Sequence, residues 1–340
     1  MTPKEIIRKV VGFDSPPRIG HSYSYGHHAD IVGANFRTDE KEEYQWQNPS
    51  FFADAYPGYA DFNGFLKKDA FGNLWGKMWH DATGGGETLE GVLSSWDQLD
   101  DYAFPDWDNP ERYLHLEEEI ARNRDKYVTG WLVGFPFAIT RNMRKLEIFL
   151  MDLILERERI DKLHEKCVCM LEGMIDNYGR LGVDAVFFCE DWGTQDRLLI
   201  SPAMWRDIYK PIFKRLCGRA HRHGMKVFMH SCGYIYEILD DLIESGVDVL
   251  QLDQPGLMGL DRLAEKIAGR ATLFSSCDIQ RVLPTGDKAL IEEHARQLVE
   301  KFHRNGGFIA KDYGDYRTIQ VEQEWAGWMR SAFARYGGNY

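Results

Sequence analysis

A (β/α)8 barrel of the TIM-barrel class, carrying an N-terminal cap or insertion, is the fold this sequence predicts. From about residue 110 onward, short apolar runs alternate with amphipathic helical stretches. The runs are apolar throughout, as the strands of a parallel sheet covered on both faces must be. With a first strand near residue 20 and a second near 61–76, the count reaches eight, the number such a barrel needs. The 340 residues are read as one domain, with 36–110 as an irregular cap within it.

The elements follow in order. Thr2-Pro3-Lys4-Glu5 supplies an N-cap, a proline in the first helical turn and a capping-box glutamate, so a short helix starts there and stops near Gly12. Ile19 to Ser22 leads into the first strand, with His21 and Tyr23 at its end. The stretch from about 40 to 110 is rich in Trp, Tyr, Gly and Asp and lacks a helical period; "DAFGNLWGKMWHD" (69–81) reads as a hairpin turning at Gly72-Asn73. Helices are expected at 110–125, at 141–180, from the Ser201 cap to His223, and near 234–245, 258–269 and 287–304. Between them lie the strands "YVTGWLVGF", "VDAVFFCED", "KVFMHSC", "DVLQLDQ", "ATLFSSCD" and "GFIAKDYG". No Gly-x-Gly-x-x-Gly follows the first strand, which weakens the dinucleotide-binding open sheet as a rival.

Composition narrows the function classes. A net charge of -12 disfavours nucleic acid and anionic membranes, since both call for clustered Lys and Arg. The N-terminus alternates charged and apolar residues and builds no signal peptide, so a cytoplasmic protein is expected, with its six cysteines reduced. A small-molecule substrate is the expected partner; the oligomeric state, with a homodimer among the options, stays open.

Active sites of such barrels collect at the carboxyl ends of the strands. Here those ends carry Glu190-Asp191, His230 with Cys232, Asp253-Gln254, Cys277-Asp278 and Lys311-Asp312, a density of ionisable groups that a core does not tolerate unpaired. On a strand, residues i and i+2 share a face, so His230 and Cys232 can address one point, as zinc ligands do. Cys277 and Glu190, at the ends of two further strands, are the candidates to complete such a site; the alternative is a hydrogen-bonded core histidine with both thiols as small apolar fillers. Asp191 and Asp253 are candidates for proton transfer or for hydrogen-bonding the histidine. Tyr23, Trp192, Tyr234 and Tyr313 are expected to wall a pocket, with Gln254 and Lys311 contacting substrate. Cys167 and Cys169 repeat the i, i+2 spacing on a helix, where the two residues diverge, so no joint site is expected there. Cys189 is expected to face the helical layer.

The segment from about 181 to 312, with "VDAVFFCEDWGTQDRLLISPAMW", "KVFMHSCGYIYEILDDL" and "LFSSCDIQRVLPTG", resembles the uroporphyrinogen decarboxylase superfamily, and within it the corrinoid-linked, zinc-dependent methyltransferases. "TPKEIIRKVVGFDSPPRI" resembles that superfamily's entry helix and first strand. The resemblance implies a TIM barrel, with His230-x-Cys232 as the zinc-binding pair. It also implies methyl transfer or demethylation of a small methylated compound, with a corrinoid (cobalamin) protein or a thiol as partner. The decarboxylases' Met-Arg-Gln-Ala-Gly-Arg motif is missing, which disfavours porphyrinogen decarboxylation. Tyr313 stands where the methyltransferases carry their third zinc-binding cysteine. A metal-independent lyase or decarboxylase and a non-catalytic ligand-binding protein are the alternatives.

Overall fold

The computed structural model describes residues 1–24, 26–79 and 85–339, so the end of the expected hairpin, His80-Asp81, lies outside the described residues. Two compact units emerge, the first comprising 1–36, 113–133 and 174–340 and the second 37–112 and 134–173.

The first unit is a TIM barrel. It opens with α1 (Pro3–Val11), β1 (Gly20–Ser22) and β2 (Ile31–Ala34). The second unit contributes β3 (Gly64–Lys68), β4 (Leu74–Met78) and β5 (Glu87–Glu90) to the order, followed by α2 (Leu116–Arg122) and β6 (Tyr127–Trp131) of the barrel. Next come α3 (Pro136–Arg144), α4 (Leu146–Leu155) and α5 (Arg157–Leu181), with the unit boundary inside α5. The barrel then alternates regularly through β7 (Ala185–Cys189), α6 (Pro202–Arg222), β8 (Lys226–His230), α7 (Leu239–Glu244), β9 (Val249–Gln251), α8 (Leu260–Ile267), β10 (Thr272–Ser275), α9 (Lys288–Phe302) and β11 (Phe308–Lys311). A last helix, α10 (Gln323–Gly337), was not expected from the sequence.

Eight strands pair in the order β1-β11-β10-β9-β8-β7-β6-β2, every ladder parallel, giving a near-closed barrel. The second strand is Ile31–Ala34, paired with β6, and not the 61–76 stretch. That stretch supplies β3 and β4, a hairpin of the second unit's antiparallel sheet β3-β4-β5. Gly33 hides β2 from a pattern reading, because glycine weakens a strand. It is needed there, since a Cβ would lie 2.8 Å from the Trp131 indole nitrogen.

The barrel's interior holds Tyr127, Ala185, Phe187, Phe228, Val249, Phe274 and Ile309, and α1 packs Ile6, Ile7, Val10 and Val11 against this core. The capping box forms as the sequence predicts, with the Thr2 hydroxyl accepting from the Glu5 N–H. Asp184, just before β7, ties the helix in place through Lys4 and Arg8, each at 2.8 Å, and accepts the Val128 N–H. Ser201 caps α6. His221 and His223 stand at the C-terminal end of α6, as expected, and also pair with Asp248 and Asp176. Among the described residues no helix is long and apolar enough to cross a membrane.

Two buried histidines set an acid limit on stability. Burial lowers the His21 pKa to about 4 and that of His164 to about 3. An unfolded histidine takes up its proton near pH 6.5, whereas these two resist protonation while folded. Their neutral burial is therefore fully compatible with folding above pH ~6.5, and stability falls progressively as pH drops towards 4, by about 3 kcal/mol for His21 alone. Thermal midpoints should fall steadily between pH 7 and pH 5, and His21→Gln should flatten that slope; an unchanged slope would contradict the assignment.

Candidate metal centre

Cys189 of β7 lies opposite His230 of β8 in a parallel ladder. Two residues further along each chain stand Asp191 and Cys232, so the register brings a carboxylate, an imidazole and a thiol to one point. His230 Nε2 lies 3.2 Å from Cys232 Sγ and 3.6 Å from Asp191 Oδ1, and one donor atom of each residue lies within 4.8 Å of the other two. Ligands held at about 2.0–2.3 Å around a tetrahedral ion stand roughly 3.3–3.8 Å apart. The spacing fits.

The surroundings orient these donors. His230 Nδ1 meets Gln251 Oε1 at 2.6 Å, and the Gln251 amide donates to Asp253 Oδ1 at 2.8 Å. With the glutamine oxygen as acceptor, the imidazole proton sits on Nδ1 and the Nε2 lone pair is directed at Cys232 and Asp191. Lys311 Nζ closes the chain on Asp253 Oδ1 at 2.7 Å. Burial pushes the Asp253 carboxyl up, but the Lys311 charge, with hydrogen bonds from Lys311 and Gln251, outweighs it and holds the group below the usual carboxylate range.

Electrostatics favour a cation at this point. Burial raises the Cys232 pKa far above an ordinary thiol, and the Asp191 and Asp253 carboxylates raise it further. A thiol flanked by carboxylates stays protonated. A divalent ion reverses that field and makes the thiolate the stable form, so the donor set suits a metal better than it suits a free nucleophile.

A cavity of about 250 Å³ opens inside the barrel; none of the three donors lines it, and Cys189, opposite His230 in the ladder, and Gln251, hydrogen-bonded to His230, connect it to them. Trp131, Phe187, Phe228 and Phe274 form its apolar wall, while Ser22, Thr129, Cys189, Gln251 and Lys311 supply polar groups. Trp131 and Phe187 pack with ring centroids 4.4 Å apart.

Several expected roles change. Cys277 is fully buried outside the triad, its thiol directed at the Ile291 carbonyl of α9 and its N–H at Met329 Sδ of α10. Glu190 is also fully buried and outside the donor group. Among the described residues, the third donor atom within reach of His230 and Cys232 is that of Asp191. Cys189 is exposed to the cavity instead of facing the helical layer, and the surrounding barrel wall, which partly screens its thiol from bulk water, reinforced by Asp191, raises its pKa to about 12. Trp192 is fully buried against Trp205 and Tyr209, and Tyr23 is buried with its hydroxyl on His21 Nδ1, so neither lines the cavity. Gln254 Oε1 accepts the Gly233 N–H, which makes it a support of the Cys232 loop. Tyr234 lies off the cavity, in hydrogen-bond contact with Arg262. Lys311 does line the cavity, and its Nζ lies 5.8 Å from the Tyr313 ring centroid. Tyr313 is half-buried; burial first, then the Asp253 carboxylate, raises its pKa.

The sequence reading missed Gln251. It occupies the same strand face as Asp253, two positions on, and that parity was the available signal.

Residues 88–311 match the family model described as uroporphyrinogen decarboxylase (URO-D). Among solved structures, a methyltransferase from Methanosarcina mazei is 16% identical, with a TM-score of 0.65 over 98% of this chain and 99% of that chain. A D-psicose 3-epimerase is 10% identical, with a TM-score of 0.42 over 71% of this chain and 86% of that one. No curated protein matches the sequence significantly. With the family model matching residues 88–311, most of the chain, this protein belongs to the uroporphyrinogen decarboxylase family.

Proposed function

We propose that the protein is a zinc-dependent methyltransferase, moving a methyl group from a small methylated compound to a corrinoid protein or a thiol. The observation that carries this reading is the Asp191/His230/Cys232 donor set beside an aromatic-walled cavity. The Methanosarcina mazei protein that shares the fold is a methyltransferase, and the reading extends that chemistry to this chain.

Size and charge support the choice. Pockets for drug-sized ligands span roughly 300–1,000 Å³, so a cavity of about 250 Å³ takes a smaller molecule and does not enclose a tetrapyrrole. A divalent ion bound by Asp191, His230 and Cys232 supplies Lewis acidity and an open coordination position. The chain's own residues do the rest. His230 is held in one tautomer by Gln251, and the four aromatic side chains hold the apolar part of the substrate away from water. The heteroatom that loses the methyl group keeps the bonding pair and takes up a proton; the reading assigns the donor role to Lys311, which lines the cavity and is hydrogen-bonded to Asp253.

The test uses zinc-loaded protein with reduced cobalamin and a panel of methylated thiols, ethers and amines. Methylcobalamin should accumulate with the wild type and stay at background with Cys232→Ala. Metal-loaded wild type that transfers no methyl group in either direction, yet releases carbon dioxide from a carboxylated compound, would favour a lyase on the same barrel.

A further inference from the structure

Two loops carry two of the three donors, and nothing in a barrel strand fixes the distance between loops beyond its end. Backbone packing does so here. We infer that Gly193 and Gly233 interlock as a clasp that positions Asp191 and Cys232 for the metal; the inference rests on the reading of the triad as a metal centre.

Gly193 follows Asp191 by two residues, and Gly233 follows Cys232 directly. A Cβ on Gly193 would lie 2.6 Å from the Tyr234 carbonyl oxygen and 2.7 Å from the Gly233 carbonyl carbon. A Cβ on Gly233 would lie 2.6 Å from the Thr194 carbonyl oxygen and closer still to the Gly193 carbonyl. All of these neighbours are backbone atoms, which cannot rotate aside. Gly233 also has φ +79, in the left-handed region that favours glycine.

The hydrogen bonds converge on the same contact. Three successive N–H groups of the second loop donate to separate anchors: Cys232 to Asp191 Oδ1 at 2.7 Å, Gly233 to Gln254 Oε1 at 3.0 Å, and Tyr234 to the Thr194 carbonyl at 2.8 Å. The first loop is stiffened in turn by an antiparallel bridge between Gly193 and Leu198. Carbon–oxygen contacts of this kind normally sit at about 3.3–3.6 Å. An alanine at either position therefore drives the loops apart by roughly 1 Å, beyond the ~0.5 Å to which a working site must be held.

The test measures zinc affinity by chelator competition, together with the thiolate-to-cobalt absorption of cobalt(II)-loaded protein, for wild type, Gly193→Ala, Gly233→Ala and Gly224→Ala. Gly224 has φ +75 with open space around it, so its variant carries backbone strain without touching the clasp. Zinc affinity should fall on the order of 10–100-fold in the two clasp variants, with an altered cobalt spectrum, and stay unchanged in Gly224→Ala. Clasp variants that fold and match wild type in both readouts would overturn the proposal. Should neither fold, Gln254→Ala, which removes only the acceptor of the Gly233 N–H, should lower affinity in the same direction, and unchanged affinity there would overturn it. If wild type binds no metal, the functional reading fails instead. The clasp is then judged by the alkylation rate of Cys232 in metal-free protein, which should rise in Gly193→Ala and Gly233→Ala and not in Gly224→Ala; equal rates would overturn it.

Discussion

Cys232→Ala is expected to fold and to lose its metal, with affinity reduced on the order of 10²–10⁴-fold. The magnitude follows from sharing a typical zinc binding energy of about 10–16 kcal/mol among three protein ligands. Folding should survive, because Cys232 lies beyond the end of β8, and the interior aromatics Phe187, Phe228 and Phe274 pack without it. His230→Ala should lose metal to the same degree. Inductively coupled plasma measurements on dialysed protein, alongside a thermal melt, separate metal loss from unfolding. Retention of a full equivalent of metal in either variant would show that the triad does not hold it.

Asp253→Ala should be the more damaging substitution for the fold. Asp253 and Lys311 are both largely inaccessible to solvent, with side-chain exposures of 6% and 14%. Removing one partner strands the other charge, at a cost of about 3–5 kcal/mol. Replacing both, as Asp253→Leu with Lys311→Met, should recover much of that loss, since a well-packed apolar pair avoids the desolvation penalty. Metal affinity should still fall about 10–100-fold in the double variant, because the Gln251 amide loses the carboxylate that orients it against His230. The pH dependence has a definite sign. With its folded pKa held below the usual range, Asp253 contributes stability above pH ~4, and that contribution disappears as pH falls through the depressed value. Denaturant titrations at pH 7 test the pair; single variants as stable as wild type would contradict it.

The sequence made most of the barrel legible and left part of the site obscure, for one physical reason. Parallel strands are apolar on both faces, so their composition reveals a strand without revealing which residues point inward. Six strands and the capped α1 could be read directly. Which residues point inward was legible only in part: Cys277, Glu190 and Trp192 were expected at the site, and Cys189 on the helical layer. Parity relative to the interior residues sorts them. Phe187 shares a face with Cys189 and Asp191, Phe228 with His230 and Cys232, Val249 with Gln251 and Asp253, and Ile309 with Lys311 and Tyr313. Cys277 is odd to Phe274, and its thiol is directed at α9. His230 and Cys232 were legible because their own i, i+2 spacing carried the chemistry. Gly33 hid β2, and β3-β4, with a stronger pattern, drew the assignment away from it.

The most direct test is the metal content per chain of tag-free protein, measured in parallel for wild type, Asp191→Ala and Cys277→Ala. The account predicts close to one zinc in wild type and in Cys277→Ala, and its loss in Asp191→Ala. Zinc lost from Cys277→Ala but kept in Asp191→Ala would contradict the assignment of the third donor, and a wild-type protein that takes up no metal would contradict the metal centre itself.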